Sequence, residues 1–175
     1  LCDKYGILWI ADEVMSGFGR TGKWFAYQHS KSSPDLIVFA KGVTSGYVPL
    51  GGVVISEPIT KTFDEQVFPG GLTYSGHPLA CATAVATIDV MKSEKMVENA
   101  AAIGEKILGP GLHELAKKHQ VMGDIRGAGV FWGIDMVTDR NTREPLAPYG
   151  ASSPKMNEIV ATCKKNGLMP FNNFN

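Results

Sequence analysis

The sequence has few cysteines and no long apolar run, and both shortages exclude classes of protein. Its 3 cysteines, Cys2, Cys81 and Cys163, are widely spaced and include no C-x-x-C pair. An odd number of scattered cysteines excludes a disulfide framework and argues against a zinc site, so we expect no metal. Such cysteines are typical of a reducing compartment, and we expect a cytoplasmic protein. No apolar run approaches the ~18 residues that a membrane-spanning helix needs.

An excess of charge of either sign is also missing. The 17 Lys and Arg residues balance the 17 Asp and Glu residues, for a net charge of +0. This balance indicates neither a nucleic acid nor a membrane surface as a partner. The 175 residues suffice for one ordinary domain. A globule of this size buries roughly 70% of the surface of its unfolded chain.

Two continuous apolar runs, residues 7–11 and 36–40, predict strands buried on both faces of a parallel sheet. Asp12 follows the first run and Lys41 follows the second. Small ligands of open α/β sheets bind beyond the carboxyl ends of the strands. At that edge, a lysine could form a Schiff base with pyridoxal phosphate while an aspartate keeps the ring nitrogen protonated. Position alone favours two solvent-facing charges at strand ends.

The apolar pattern changes near residue 96, where we predict a domain boundary. A third short strand is predicted at residues 52–55, and helices at 79–91 and 96–107. The Gly109-Pro110-Gly111 segment is expected to break or kink the second helix. Beyond it, we predict a strand at residues 130–137 and a helix that Ser153 caps and Gly167 ends. The first part is therefore α/β and the second a smaller α+β unit.

Residues 7–13 also fit a Walker B strand, and residues 17–23 fit the spacing G-x-x-x-x-G-K. A phosphate-binding loop needs Ser or Thr after the lysine, where this chain has Trp24. The loop also follows the Asp-Glu strand instead of preceding it. A nucleotide hydrolase is therefore the weaker interpretation.

Four sequence blocks resemble one known family. They are A-D-E-V-M-S-G-F-G-R-T-G at residues 11–22, P-D-L-I-V-F-A-K-G at 34–42, T-Y-S-G-H-P-L-A-C-A at 73–82 and R-G-A-G at 126–129. Their order and spacing resemble the class III, omega-type aminotransferases, which are pyridoxal-phosphate enzymes of fold type I. The resemblance implies a three-layer α/β/α large domain with a mostly parallel sheet, followed by a smaller α+β domain. Residues 1–96 would be the end of the cofactor-binding domain, and 97–175 most of the small domain.

The resemblance also implies a role for each candidate site residue. Lys41 would be the catalytic residue that forms the Schiff base, and Asp12 would bind the pyridine nitrogen. Val14 would pack against one face of the ring. Thr73 would bind the cofactor phosphate in the site of the neighbouring subunit of a homodimer. Arg126 would bind the carboxylate of the substrate or keto acid.

The implied reaction moves an amino group from an omega-amino acid or amine to a keto acid such as pyruvate or 2-oxoglutarate. Many members of the family have glutamine where this chain has Met15, so one contact to the cofactor ring is expected to differ. The family's phosphate-binding loop lies upstream of the Asp-Glu-Val strand, before the part of the sequence that starts at Leu1. We therefore expect a fragment, and the alternative function is a catalytically incompetent or packing-only chain.

Overall fold

The computed structural model describes residues 1–171, which divide into two compact units. The first unit contains Leu1–Gly104 together with Ala128–Phe131. The second contains Glu105–Gly127 and the described residues from Trp132 onward. In residues 1–171, no helix is both long and apolar enough to cross a bilayer. The domain boundary at residue 96 stays a prediction.

A three-stranded sheet forms the part of the first unit that carries the candidate site. After the short helix α1 (Cys2–Tyr5), the strands β1 (Ile10–Asp12), β2 (Leu36–Phe39) and β3 (Gly52–Ile55) lie side by side in chain order. The pairing of β1 with β2 is parallel, as the apolar runs predict, whereas β3 runs antiparallel to β2. The short connection between β2 and β3 contains a 3-10 helix and turns, and no crossover α-helix of the kind that parallel neighbours need.

Three further helices belong to the first unit, and one of them packs on the segment that follows β2. They are α2 (Glu57–Thr60), α3 (Pro78–Ser93) and α4 (Met96–Ile103), with a 3-10 turn at Lys61–Phe63 after α2. Pro78 begins α3, which a proline can do because a first-turn residue needs no amide hydrogen. Helix α3 packs on the 3-10 helix Lys41–Thr44. The buried apolar side chains of this unit are mostly small and include Val43, Ala80, Ala84, Met91, Val97 and Ala100.

Three glycines from separate segments meet backbone to backbone in the first unit; we call them the glycine node. A Cβ on Gly22 would lie 2.8 Å from the Cα of Ala101. A Cβ on Gly104 would overlap the backbone of Gly129, and one on Gly129 would overlap that of Gly22. The amide of Val130 donates to the Arg20 carbonyl at 3.0 Å beside this contact. The glycine-rich loop is therefore fixed by main-chain packing.

The prediction that the apolar strands are buried on both faces is wrong for this chain. The side chains of Ile7, Leu8 and Ile10 are 59%, 59% and 56% exposed. Strand β2 is only partly covered. The apolar run had indicated neighbours on both faces, but the described residues provide too few elements to cover them. Exposed apolar surface of this extent is typical of a contact surface.

The second unit pairs helices with a separate three-stranded sheet. Its elements are α5 (Gly109–Lys118), β4 (Met122–Ala128), β5 (Phe131–Asp139), β6 (Glu144–Pro145) and α6 (Pro154–Lys165), and the sheet order follows the chain. The predicted cap is confirmed, because Ser153 Oγ accepts from the Met156 amide at 3.2 Å. Gly167 follows α6 with φ +84°, as the predicted stop requires. Met156 packs with Leu146 and Ala147 in a small core.

The helix break predicted at Gly109-Pro110-Gly111 is not observed. A π-helical turn, Gly104–Leu108, leads directly into α5, and Pro110 lies in the first turn of that helix. A π turn relieves the clash between a proline ring and the carbonyl four residues earlier, so the chain stays helical.

The glycine node predicts a large cost for a single methyl group. Gly129→Ala adds a Cβ that overlaps backbone and requires alanine at φ +56°. We expect a loss of at least about 2 kcal/mol in the free energy of unfolding, measured by urea titration followed by circular dichroism. The control is Gly111→Ala in α5, where a Cβ meets nothing within 4 Å. That change should be neutral or slightly stabilising, and equal effects of the two variants would contradict the packing argument.

Candidate functional site

The carboxyl end of β1 presents Asp12 to solvent. Asp12 is the last residue of β1 and lies opposite Val38 of β2 in the parallel register. The ladder continues one residue further, because the Glu13 amide donates to the Val38 carbonyl at 2.8 Å. One carboxylate oxygen of Asp12 accepts from the amide of the half-buried Val14 at 3.1 Å. Asp12 thus stands at a fixed point of the sheet edge, and within residues 1–171 its other oxygen has no hydrogen-bond partner.

Lys41 lies at the same edge, two residues beyond the end of β2. It opens the 3-10 helix Lys41–Thr44 and has a left-handed backbone with φ +47°. Such a conformation is uncommon for a residue other than glycine and often accompanies a functional constraint. The exposed ammonium donates to the thioether sulfur of Met15 at 2.7 Å. The segments that follow β1 and β2 therefore meet at these two side chains.

Buried neighbours hold the Lys41 segment in place. Val43 and Thr44 are 3% and 1% exposed, and Thr44 Oγ1 donates to the Val48 carbonyl at 2.6 Å. The residue after Lys41, Gly42, leaves no room for a side chain, since a Cβ there would lie 2.9 Å from the Cβ of Phe18. Lys41 thus begins a tightly packed turn, while its side chain stays accessible to solvent.

The glycine-rich loop after β1 folds back over an aromatic cluster. The ring centroid of Phe18 lies 5.4 Å from that of Phe25 and 5.8 Å from that of Phe39, and both pairs pack edge to face. At the far side of the loop, His29 Nε2 is 3.1 Å from both the carbonyl and the hydroxyl oxygen of Thr21. These contacts connect the end of β2 to the loop that carries Met15.

Sequence reasoning missed Glu13, which is 2% exposed. Its carboxylate accepts hydrogen bonds from Ser16 Oγ and from the amides of Ala26 and Tyr27. The burial of Glu13 could have been predicted, because successive side chains of a strand point to opposite faces. If Asp12 faces the open edge, its neighbour Glu13 must point the other way, into the protein.

The residues at this edge fit the two reactive ends of a pyridoxal ring. An accessible primary amine can bind an aldehyde, and an exposed carboxylate can bond a protonated pyridine nitrogen. Lys41 and Asp12 supply these groups from adjacent parallel strands, and the half-buried Val14 supplies an apolar contact beside Asp12. Asp12, Val14 and Lys41 can therefore contact the ring and its aldehyde, but these three residues do not form a binding site for the phosphate.

Thr73 lies in a different part of the first unit, in an exposed turn before α3. Its neighbours Leu72 and Tyr74 are 81% and 79% exposed. The Tyr74 ring stacks on His77 at 5.9 Å, and the Ser75 amide donates to the Leu72 carbonyl at 2.9 Å. In the described part of the chain, no hydrogen bond joins Thr73 to Asp12 or Lys41.

Arg126 belongs to the second unit and is already paired with carboxylates. Its guanidinium binds Asp135 through two hydrogen bonds of 2.8 and 2.9 Å and Asp124 through one of 2.5 Å. The hydrogen bonds that Arg126 donates to Asp135 and then to Asp124 raise the pKa of Arg126, which is charged at any physiological pH. The pair with Asp135 demonstrates the two-pronged geometry that carboxylate binding needs. These bonds use three of the five N–H donors of the guanidinium, so a ligand carboxylate would compete with the aspartates or bind the two remaining donors.

The chain is similar to known proteins over nearly its whole length. It is 40% identical to a taurine–pyruvate aminotransferase of Bilophila wadsworthia, over 97% of this chain and 37% of that protein. It is 41% identical to a putrescine–pyruvate aminotransferase of Pseudomonas aeruginosa, over 95% of this chain and 36% of that protein.

Solved structures give the same result. The taurine:2-oxoglutarate aminotransferase of Bifidobacterium kashiwanohense, solved in complex with PLP and glutamate, is 45% identical. It superposes with a TM-score of 0.92 over 99% of this chain and 39% of that structure. The chain thus spans little more than a third of the length of these relatives.

The expected family and fold class are confirmed by these comparisons, and members of this family depend on pyridoxal phosphate. The family model described as aminotransferase class-III matches residues 1–173, so this chain belongs to the class III aminotransferases.

Proposed function

We propose that this chain carries the ring-binding edge of a pyridoxal-phosphate transaminase. The enzyme would move an amino group from an omega-amino acid or amine to a keto acid such as pyruvate or 2-oxoglutarate. The observation that carries the proposal is the convergence of the β1 and β2 segments, with Lys41 Nζ 2.7 Å from Met15 Sδ and Asp12 at the same sheet edge. Relatives named for taurine, putrescine and 5-aminovalerate support this class of donor.

The residues of this edge have separate tasks in such a reaction. When bound, the cofactor supplies an electron sink for the charge that develops on the substrate carbon. Lys41 Nζ would hold the cofactor covalently, and its free amine would serve as the proton carrier of the transfer. Asp12 holds a proton on the pyridine nitrogen by its negative charge. Val14 orients the ring by packing on one face.

Thr73 and Arg126 complete the proposal from outside this edge. The exposed turn that carries Thr73 supports a role in the site of a second copy, where its hydroxyl would donate to the cofactor phosphate. Arg126 would bind the carboxylate of the keto acid, in exchange for Asp135 or Asp124. A homodimer with shared sites follows from the first of these roles.

Removing the Lys41 amine should abolish covalent attachment of the cofactor. In the protein expressed from its complete gene, Lys41→Ala is expected to lose the visible absorbance that borohydride removes from a lysine-bound cofactor. Turnover should fall by roughly 10²–10⁴-fold, the usual contribution of a positioned proton carrier. The matched control is Lys95→Ala, because Lys95 is also exposed and has a left-handed backbone with φ +51°. An unmodified protein without the absorbance would favour the non-catalytic alternative.

Mixed dimers test whether Thr73 acts in the partner's site. Thr73→Ala and Lys41→Ala subunits are each expected to be impaired alone. A dimer of one subunit of each kind has one site with both residues intact if Thr73 crosses the interface. Random mixing should then recover about a quarter of the wild-type sites in a two-fold dimer. No recovery on mixing would place Thr73 in the site of its own subunit or outside any site.

The proposed task of Arg126 predicts a change confined to substrates that carry a carboxylate. Arg126→Lys removes the two-pronged geometry and should raise KM for 2-oxoglutarate by roughly 10–100-fold. KM for putrescine, a donor without a carboxylate, should stay within about twofold because it makes no such charge-assisted bond. The control is Arg143→Lys, an exposed arginine in the same unit. Equal effects on both substrates would exclude a carboxylate-binding role.

A further inference from the structure

Glu13 is a buried carboxylate that the proposed chemistry does not use. It is 2% exposed and lies in sequence between Asp12 and Val14. Its Oε2 accepts from Ser16 Oγ at 2.6 Å and from the Ala26 amide at 2.9 Å, and its Oε1 accepts from the Tyr27 amide at 2.7 Å. Both carboxylate oxygens are therefore engaged.

A buried carboxylate is costly to desolvate, so a position that keeps one needs these hydrogen bonds. The two amide donors lie 13 and 14 residues further along the chain. The Glu13 carboxylate therefore closes the intervening loop, which contains Met15 and Phe18. A neutral apolar residue could fill the same space, but it would leave the amides of Ala26 and Tyr27 unpaired.

The loop that Glu13 closes contacts the Lys41 segment at two points. The sulfur of Met15 accepts from Lys41 Nζ, and the ring of Phe18 packs against Phe39 of β2. Gly42 also faces Phe18 so closely that a Cβ there would lie 2.9 Å from the Phe18 Cβ. Movement of the loop would therefore move the groups next to the lysine.

We infer that Glu13 is a positioning residue for the cofactor ring. It holds the segment from Asp12 to Met15 against the Lys41 turn, so that the carboxylate and the amine keep a fixed separation. This inference rests on the proposed function, because it assigns Glu13 a purpose only if Asp12 and Lys41 bind one ring.

The test compares two carboxylate-to-amide substitutions at opposite ends of the β1–β2 pair, one just after β1 and one just before β2. Glu13→Gln gives the buried site an amide group that cannot accept from both backbone donors. Asp35→Asn makes the same change at the amino end of β2, where Asp35 Oδ2 accepts from the Trp9 amide at 2.8 Å. Each variant is expressed from the complete gene, and pyridoxal phosphate is titrated by absorbance, with thermal unfolding of the cofactor-free protein recorded alongside.

Glu13→Gln is expected to raise the dissociation constant for pyridoxal phosphate at least about tenfold, because it breaks hydrogen bonds to a charged group. Asp35→Asn should lower the unfolding temperature yet leave the dissociation constant within about twofold. Ser16→Ala removes one of the three bonds and should raise the constant a few-fold, which keeps the test decisive if Glu13→Gln does not fold.

Equal dissociation constants for the Glu13 and Asp35 variants would overturn the positioning role and leave the proposed function intact. An unchanged constant in Ser16→Ala would also count against it. Failure of the unmodified protein to bind pyridoxal phosphate would overturn the proposed function together with this inference.

Discussion

Backbone hydrogen bonds between β1 and β2 fix the positions of both reactive side chains. Because the two strands run parallel, their carboxyl ends lie at one edge of the sheet. The bond from the Glu13 amide to the Val38 carbonyl extends this pairing past Asp12, so the carboxylate is held by the sheet and not by a loop. Lys41 lies two residues beyond the end of β2 and begins a 3-10 helix whose Val43 and Thr44 are buried. A one-residue slip of the register would turn Asp12 to the opposite face of the sheet.

Two adjacent acidic residues divide the work at this edge because side chains alternate along a strand. Asp12 faces outward and keeps one oxygen available for a ligand, whereas Glu13 faces inward and has both oxygens engaged by the protein. The same charge thus faces solvent at one position and closes a loop at the next. The loop that Glu13 closes contains Met15, and the sulfur of Met15 accepts from Lys41 Nζ.

The site could be predicted from sequence where short motifs and strand ends coincide. Asp12 and Lys41 were found because each directly follows an apolar run, and the parallel pairing that joins them is confirmed. The antiparallel β3 was not predicted, because an apolar strand has the same composition in either direction. The helix that continues through Pro110 was not predicted. Proline is a clear sequence signal for a helix break, whereas the π turn that precedes it here has no comparable sequence signal. The Met15 contact depends on loops that only the folded chain brings together. The roles of Asp12, Val14, Lys41, Thr73 and Arg126 remain proposals.

The glycine node has a consequence at the level of the gene. Any missense change in a glycine codon replaces hydrogen with a carbon atom, whatever the new residue is. At Gly22, Gly104 and Gly129 that carbon falls on main-chain atoms, which cannot rotate away as a side chain can. No substitution at these three codons is conservative. In a library of random variants selected for folding, we expect these glycines to stay unchanged.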